Sequence, residues 1–417
     1  MKILHINTHD RGGAANAAIR LHKALLEQGI DSNMLFLKNM GATVDKSSYF
    51  STPQKTSSFK QHLKLKLGFS APHSLENELK EQLNQLPTGY EGYSLPVTRF
   101  RLEDSPEVKE AGIIHLHWVS RFLDYSFFER LDKPVVWTLH DMNPFLGGFH
   151  YQLDADAFST SFKEMEQQLL AYKQSALARS EQVITVVAPS SYLLSTSKNS
   201  YLFQRYSHDA IRYSLNLKVF KPYDQRAARE IWDLPQDKCV ILFVSEDIQN
   251  KRKGFDLLLK ATEQVESEQV IFCAIGKTQQ ELPKHVRHLG SFRDEMLLAL
   301  AYSAADAFVL PSREDNLPNT MLEALACGTP VIAFNRGGMA DIIKTGNNGV
   351  LLSEVQAEVL AEAINDLLAA KYSFDRQQIR AFAEHKFSPE KQAKEYLKVY
   401  ETIINNDAHT RTTSPSS

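Results

Sequence analysis

Short apolar runs alternate with helically spaced segments along most of the chain. In the first half, Ile3–Asn7, Ser32–Leu37, Ile113–Leu116, Val135–Leu139 and Val183–Ala188 read as strands. Cys239–Val244, Val270–Ile275, Ala307–Leu310 and Pro330–Ala333 read as strands in the second. These runs are rich in Val, Ile and Phe, and many are bounded by Gly or Pro, as parallel strands buried on both faces should be. Between them, Ala14–Gln28, Phe255–Glu266 and Glu295–Ser303 carry apolar positions at helical spacing. Alternation on this scale predicts doubly wound α/β domains. The pattern restarts near residue 239, after an irregular stretch over 208–222, so the expected domains are 1–215 and 216–388. Residues 389–405 read as a further helix, and 406–417 as a polar tail expected to be disordered. Residues 41–110 fit the alternation poorly and predict an insertion or long loops.

Length supports the division, since 417 residues exceed one ordinary core. The formal net charge is −3, which provides no global attraction to nucleic acid, so none is expected as a partner. Cys239, Cys273 and Cys327 all sit in apolar runs outside chelate spacing and read as reduced, structural thiols. Met1–Ile6 reads as a strand, not a secretory leader. No apolar run approaches the roughly 20 residues of a membrane span, and the reduced thiols lead to the expectation of a cytoplasmic protein. Lys55–Phe69 is the exception worth marking. Phe59, Leu63 and Leu67 share a helical face beside Lys60 and Lys64, a basic amphipathic pattern suited to the inner membrane surface or to a lipid-linked acceptor. A helix packed on its own domain would show the same spacing.

Five stretches carry candidate chemistry. "NTHDRGGAANAAIR" places Gly12 and Gly13 between a strand and a helix, where freed N–H groups at a positive helix end suit an anion. The third Gly of a dinucleotide fingerprint is missing, which counts against an oxidoreductase. "HLHW", His115–Trp118, and "WTLHDMNPFLGGFHY", Trp137–Tyr151, set histidines just past strand ends. A His-x-His pair evokes metal, but the carboxylates around it lack ligand spacing, so no metal is expected. His140 is placed to meet a ligand as it leaves its strand. "QNKRKGFDLLLKA" brings Lys251, Arg252 and Lys253 to the start of a helix, where cations and helix dipole converge on a diphosphate. In "SREDNLPNTMLEALACGTPVIAF", Pro318 suits the first turn of a helix ending at Gly328. Asp315 then lies in the loop ahead of that helix. Asp is one methylene shorter than Glu, so either it approaches the ligand closely, with Glu314 an exposed neighbour, or Glu314 takes over the contact. Glu323 lies in the first two turns, where a carboxylate accepts from a vicinal diol such as ribose.

These residues resemble the retaining glycosyltransferases of family 4, which have the two-domain GT-B fold. "RKGFDLLLKA", "YSAADAFVLPS", "PNTMLEALACGTPVIAF" and "GGMADII" follow one another in that family's order and spacing. "WTLHDMNPFLGG" is similar to the branch that builds bacterial surface polysaccharides. The resemblance implies two Rossmann-like domains facing across a cleft, with the C-terminal helix returning to the first domain. It implies transfer of a hexose from a UDP- or GDP-sugar to a saccharide or lipid-linked acceptor, with retention and without metal or other cofactor. Glu323 would bind the ribose. Asp315, at the place of the first glutamate of the E-x7-E motif, would contact the donor sugar. Arg252 and Lys253 would neutralise the diphosphate, and Gly12 and Gly13 would approach it. His140 would lie at the reacting centre with Asp315 and Lys253. Glu314, Asn316, Leu317, Pro318 and Asn319 would complete the donor-binding loop and helix entry. A catalytically weakened nucleotide-sugar-binding subunit is the alternative.

Overall fold

The computed structural model describes residues 1–51, 90–180, 182–265 and 268–413. It divides into two compact units. One comprises Met1–Pro87, Glu91–Arg212 and Pro389–Ser417, the other Tyr213–Ser388 with Thr88–Tyr90.

The first unit is built on β1 (Lys2–His9), β2 (Asp31–Lys38), β3 (Ser47–Tyr49), β4 (Ile113–Leu116), β5 (Val135–Thr138), β6 (Ile184–Ala188) and β7 (Ser207–Ala210). They lie in the order β3-β2-β1-β4-β5-β6-β7, and each adjacent pair is parallel. The second unit carries β8 (Cys239–Asp247), β9 (Val270–Lys277), β10 (Val286–Gly290), β11 (Ala307–Leu310), β12 (Val331–Phe334) and β13 (Gly349–Leu352). Their order is β10-β9-β8-β11-β12-β13, again parallel throughout. Both sheets are doubly wound and reverse direction beside their first strand, between β1 and β4 and between β8 and β11. Ligands of such sheets bind outside the carboxyl ends of the strands at that reversal.

The interior strands β4, β5, β6, β11 and β12 are buried at every position, which is why they read as unbroken apolar runs. Helices cover both faces. Ala393, Tyr396, Val399, Tyr400 and Ile403 recur on one side of the helix Pro389–Thr413 and pack with Leu21, Ala24 and Leu25 of the helix Gly13–Glu27 against Ile3, Ile113 and Val136. The second unit has its own core, in which Phe243, Phe255, Val309, Ile332 and Leu360 meet.

Several expectations need correction. The irregular stretch 208–222 contains most of β7, an edge strand whose Ser-His-Asp-Ala sequence gives no hydrophobic signal. Within 41–110, the described part holds β3 and the short helix Pro106–Glu110 capped by Ser105. The helix expected over Phe255–Glu266 ends at Thr262. The expected disordered tail continues the last helix to Thr413. The amphipathic stretch 55–69 lies outside the described residues. Among the described residues, no helix is long and apolar enough to cross a membrane.

Candidate functional site

In the second unit, two loops leave the adjacent strands β8 and β11. The first closes in a 3-10 turn, Lys251–Lys253, capped by Asn250, whose side chain accepts from the Arg252 N–H at 3.0 Å. Gly254 follows at φ 71° and opens the helix Phe255–Thr262. A Cβ there would stand 1.8 Å from the Pro311 carbonyl oxygen, so only glycine lets the two loops touch. The contact is then stitched by hydrogen bonds. Arg313 donates from its main-chain N–H to the Arg252 carbonyl (2.8 Å) and from Nη1 to the Lys251 carbonyl (2.7 Å). Its guanidinium also grips Asp256 at 2.7 and 2.6 Å.

The stitched loops gather charge. Asp315 is 5% exposed, and its Oδ2 lies 2.5 Å from Lys253 Nζ and 3.2 Å from Arg252 Nη1. Arg252 Nη1 also donates to the Glu314 carbonyl at 3.0 Å. Asp315 Oδ1 accepts from the Asn316 N–H. Burial pushes the Asp315 carboxyl up, but Lys253 and Arg252 outweigh it and hold the group below its ordinary range. Glu314 is only 7% exposed and so is not the surface charge its sequence position implied. Gly337, at φ 60°, backs the loop; a Cβ on it would lie 1.5 Å from the Asp315 carbonyl oxygen.

Asn316 and Leu317 are buried, and Pro318 caps the helix Asn319–Ala326, which ends before Gly328. Glu323, 6% exposed, faces the buried Tyr302, whose hydroxyl donates to its Oε2 at 3.3 Å. Arg252, Lys253, Glu314 and Asp315 thus come together, with Glu323 on the helix that follows. Sequence reasoning missed Gly337, Arg313 and Tyr302. The Gly pair in "GGMADII" was visible, but its contact with Asp315 is a tertiary fact.

The other predicted residues belong to the first unit. Gly12, at φ 108°, precedes the helix Gly13–Glu27 and caps it without a side chain. Asp10 just before it accepts from the N–H groups of Met40 and Ala42 (2.8 and 3.0 Å), tying down the loop after β2. His140 follows β5, and its Nε2 lies 3.2 Å from His117 Nδ1. Burial pushes its pKa down to about 4, against the pull of the Asp141 carboxylate. Asp141 accepts from the Trp118 indole (2.7 Å), His150 (2.6 Å) and the Asn143 N–H (2.9 Å). His150 also meets Ser94 Oγ at 2.8 Å. The Ser94–His150–Asp141 order is that of a hydrolytic triad, but Ser94 is 2% exposed and out of a substrate's reach, so the linkage holds the turn 141–150 in place.

His5, His115 and His117 bring one ring nitrogen each within 4.8 Å of one another. Both nitrogens of His115 are engaged by the hydroxyls of Tyr400 and Thr138 at 2.7 Å, and both of His117 by His5 and His140. A cation here would have to break those bonds. The cysteine thiols are chemically quiet: burial pushes Cys239 and Cys273 up to about 12 and Cys327 higher.

Comparison with known proteins agrees with this geometry. Residues 238–370, which hold both charged loops, match the family model described as glycosyl transferases group 1. D-inositol 3-phosphate glycosyltransferase 2 of Catenulispora acidiphila is 28% identical over 65% of this chain and 66% of its own length, so the chain spans just under two thirds of that relative. Sucrose-phosphate synthase of Thermosynechococcus elongatus superposes with a TM-score of 0.67 at 19% identity, over 97% of this chain and 100% of that one. Anabaena HepE, in complex with UDP and glucose, superposes with a TM-score of 0.64 at 17% identity, over 96% and 99%. The chain therefore has the GT-B fold, and the stretch of its second unit that holds both charged loops is similar to group 1 glycosyl transferases.

Proposed function

We propose that this protein transfers a hexose from a UDP- or GDP-sugar to a saccharide or lipid-linked acceptor, with retention at the anomeric carbon. The observation that carries this reading is the charged cluster at the β8/β11 reversal, where Lys253 and Arg252 are gathered beside Asp315 within the matched segment. The Lys253 side chain is 23% exposed and within reach of an entering diphosphate, while Arg252 is buried behind it. Fixed cations at that place stabilise the departing nucleotide diphosphate as its bond to the sugar breaks, and do so without a divalent ion. Glu323 on the neighbouring helix is assigned to the ribose, and the Asp315 loop to the sugar. Roles for Gly12, Gly13 and His140 rest on the resemblance to family 4 and on their places at strand ends in the first unit. UDP-glucose has support as donor because HepE is also described in complex with it. The acceptor and the surface-polysaccharide role follow from the resemblance to the polysaccharide-building branch, and a cytoplasmic site of action from the reading of the three cysteines as reduced thiols.

The test is a panel of UDP- and GDP-hexoses offered with saccharide acceptors in excess EDTA, followed by NMR of the anomeric proton. Turnover that survives EDTA, with the donor's α configuration kept, is the expected result. Activity lost in EDTA and restored by magnesium or manganese would sink metal independence, and an inverted product would sink retention. Donor binding without turnover of any member would leave the chain a nucleotide-sugar-binding subunit.

A further inference from the structure

A chain of imidazoles runs behind the strand ends of the first unit. His5 on β1 holds its Nδ1 2.9 Å from His117 Nε2, and His117 Nδ1 lies 3.2 Å from His140 Nε2. His5 is 0% and His117 3% exposed. Burial first, and neighbouring imidazoles second, push both rings well below the ordinary histidine range, so both are neutral. A neutral imidazole has one N–H and one bare nitrogen. Each contact in the chain takes one proton, and so setting the tautomer of one ring sets all three.

The inner end decides the direction. His5 Nε2 is buried and has no hydrogen-bond partner. A hydrogen on it would be a buried N–H with nothing to donate to, the rarer and costlier arrangement. With the lone pair there instead, His5 donates from Nδ1 to His117 Nε2, and His117 donates from Nδ1 to His140 Nε2. We propose that His5 and His117 are positioning residues that hold His140 in its Nδ1-protonated form, which makes its Nδ1 a hydrogen-bond donor and not a base. The catalytic consequence rests on the proposed role of His140 at the donor sugar. The tautomer itself is a property of the ligand-free protein.

The full-length protein labelled with 15N in its histidine rings tests this, with two-bond correlation spectra assigned by single His→Gln substitutions. His140 should show a pyrrole-type Nδ1 and a pyridine-type Nε2. His117→Leu should convert that single form to a mixture. His117→Asn, whose amide nitrogen branches at the same distance as ring Nδ1, should restore it. Turnover should follow the same order, with kcat falling more than KM in the Leu variant. An Nε2-protonated His140 in the native chain overturns the proposal even if no variant folds. So does an Nδ1-protonated form that His117→Leu leaves unchanged in a folded protein. If the spectra are as expected while His140→Ala transfers sugar normally, the tautomer assignment stands and the catalytic role of His140 falls.

Discussion

Asp315 shows how one residue joins stability to function. Sequence reading placed it ahead of a helix as a ligand acceptor; the structure also makes it the counter-ion of Lys253 and Arg252. Replacing it with Asn leaves two cations facing a neutral amide. Breaking a buried pair costs about 3–5 kcal/mol, and the partial exposure of Lys253 puts Asp315→Asn near the lower end. The sign with pH follows from its lowered native pKa. The contribution is complete above the unfolded value of about 3.9 and is lost as pH falls through the lower native value. Urea unfolding should therefore show a gap between native protein and variant that is full at neutral pH and closes below about pH 4. A gap that stays constant into acid would mean that Asp315 is not ionised in the folded state. The pairing was not legible in the sequence, because Lys253 and Asp315 are far apart along the chain and meet only where Gly254 lets two loops touch.

At the scale of elements, the reading recovered every interior strand and missed the edges β3, β7, β10 and β13. An interior strand is covered on both faces and both sides, so its sequence is forced to be apolar. An edge strand has one neighbour, and the burial pattern relaxes in β3, in β10 and fully in β7. By contrast, β13 is short and buried and was missed despite its apolar Gly-Val-Leu-Leu sequence. Loop contacts are hidden in the same way. Gly337→Ala should force the Asp315 carbonyl aside and weaken UDP binding at least tenfold, which is about 1.4 kcal/mol. Gly346 is the control: its φ of 85° is also strained for alanine, but a Cβ there meets nothing within 4 Å. Calorimetry should find UDP affinity retained in Gly346→Ala. Equal affinity in both variants would disconnect Gly337 from the site.

For the whole molecule, the last helix belongs to the core of the first unit although it follows the second in sequence. Removing residues 389–417 strips five buried side chains from the cluster around Ile3 and Val136. It also leaves His115 without the Tyr400 hydroxyl and Thr138 without that of Tyr396. At about 1.5–3 kcal/mol per buried side chain, the loss is comparable to the whole stability of an ordinary domain, about 5–15 kcal/mol. A chain ending at residue 388 should lose the cooperative thermal transition of its first unit, followed by circular dichroism. An unchanged two-unit melting profile would show that the helix is dispensable.

Periodicity and apolar runs were enough to determine the two α/β units, the interior strands and the positions of Gly12, His140, Lys253, Asp315 and Glu323 relative to strand ends. Those features are local, since burial imposes composition on each strand and each helix start separately. Contacts between distant segments were decided only by tertiary structure: the Lys253–Asp315 pair, the glycine clearance beside Pro311 and Asp315, and the imidazole chain from His5 to His140. Each depends on strand order. β1 lies beside β4, and β8 beside β11, through long crossovers whose pairing leaves no local pattern in the residues that meet.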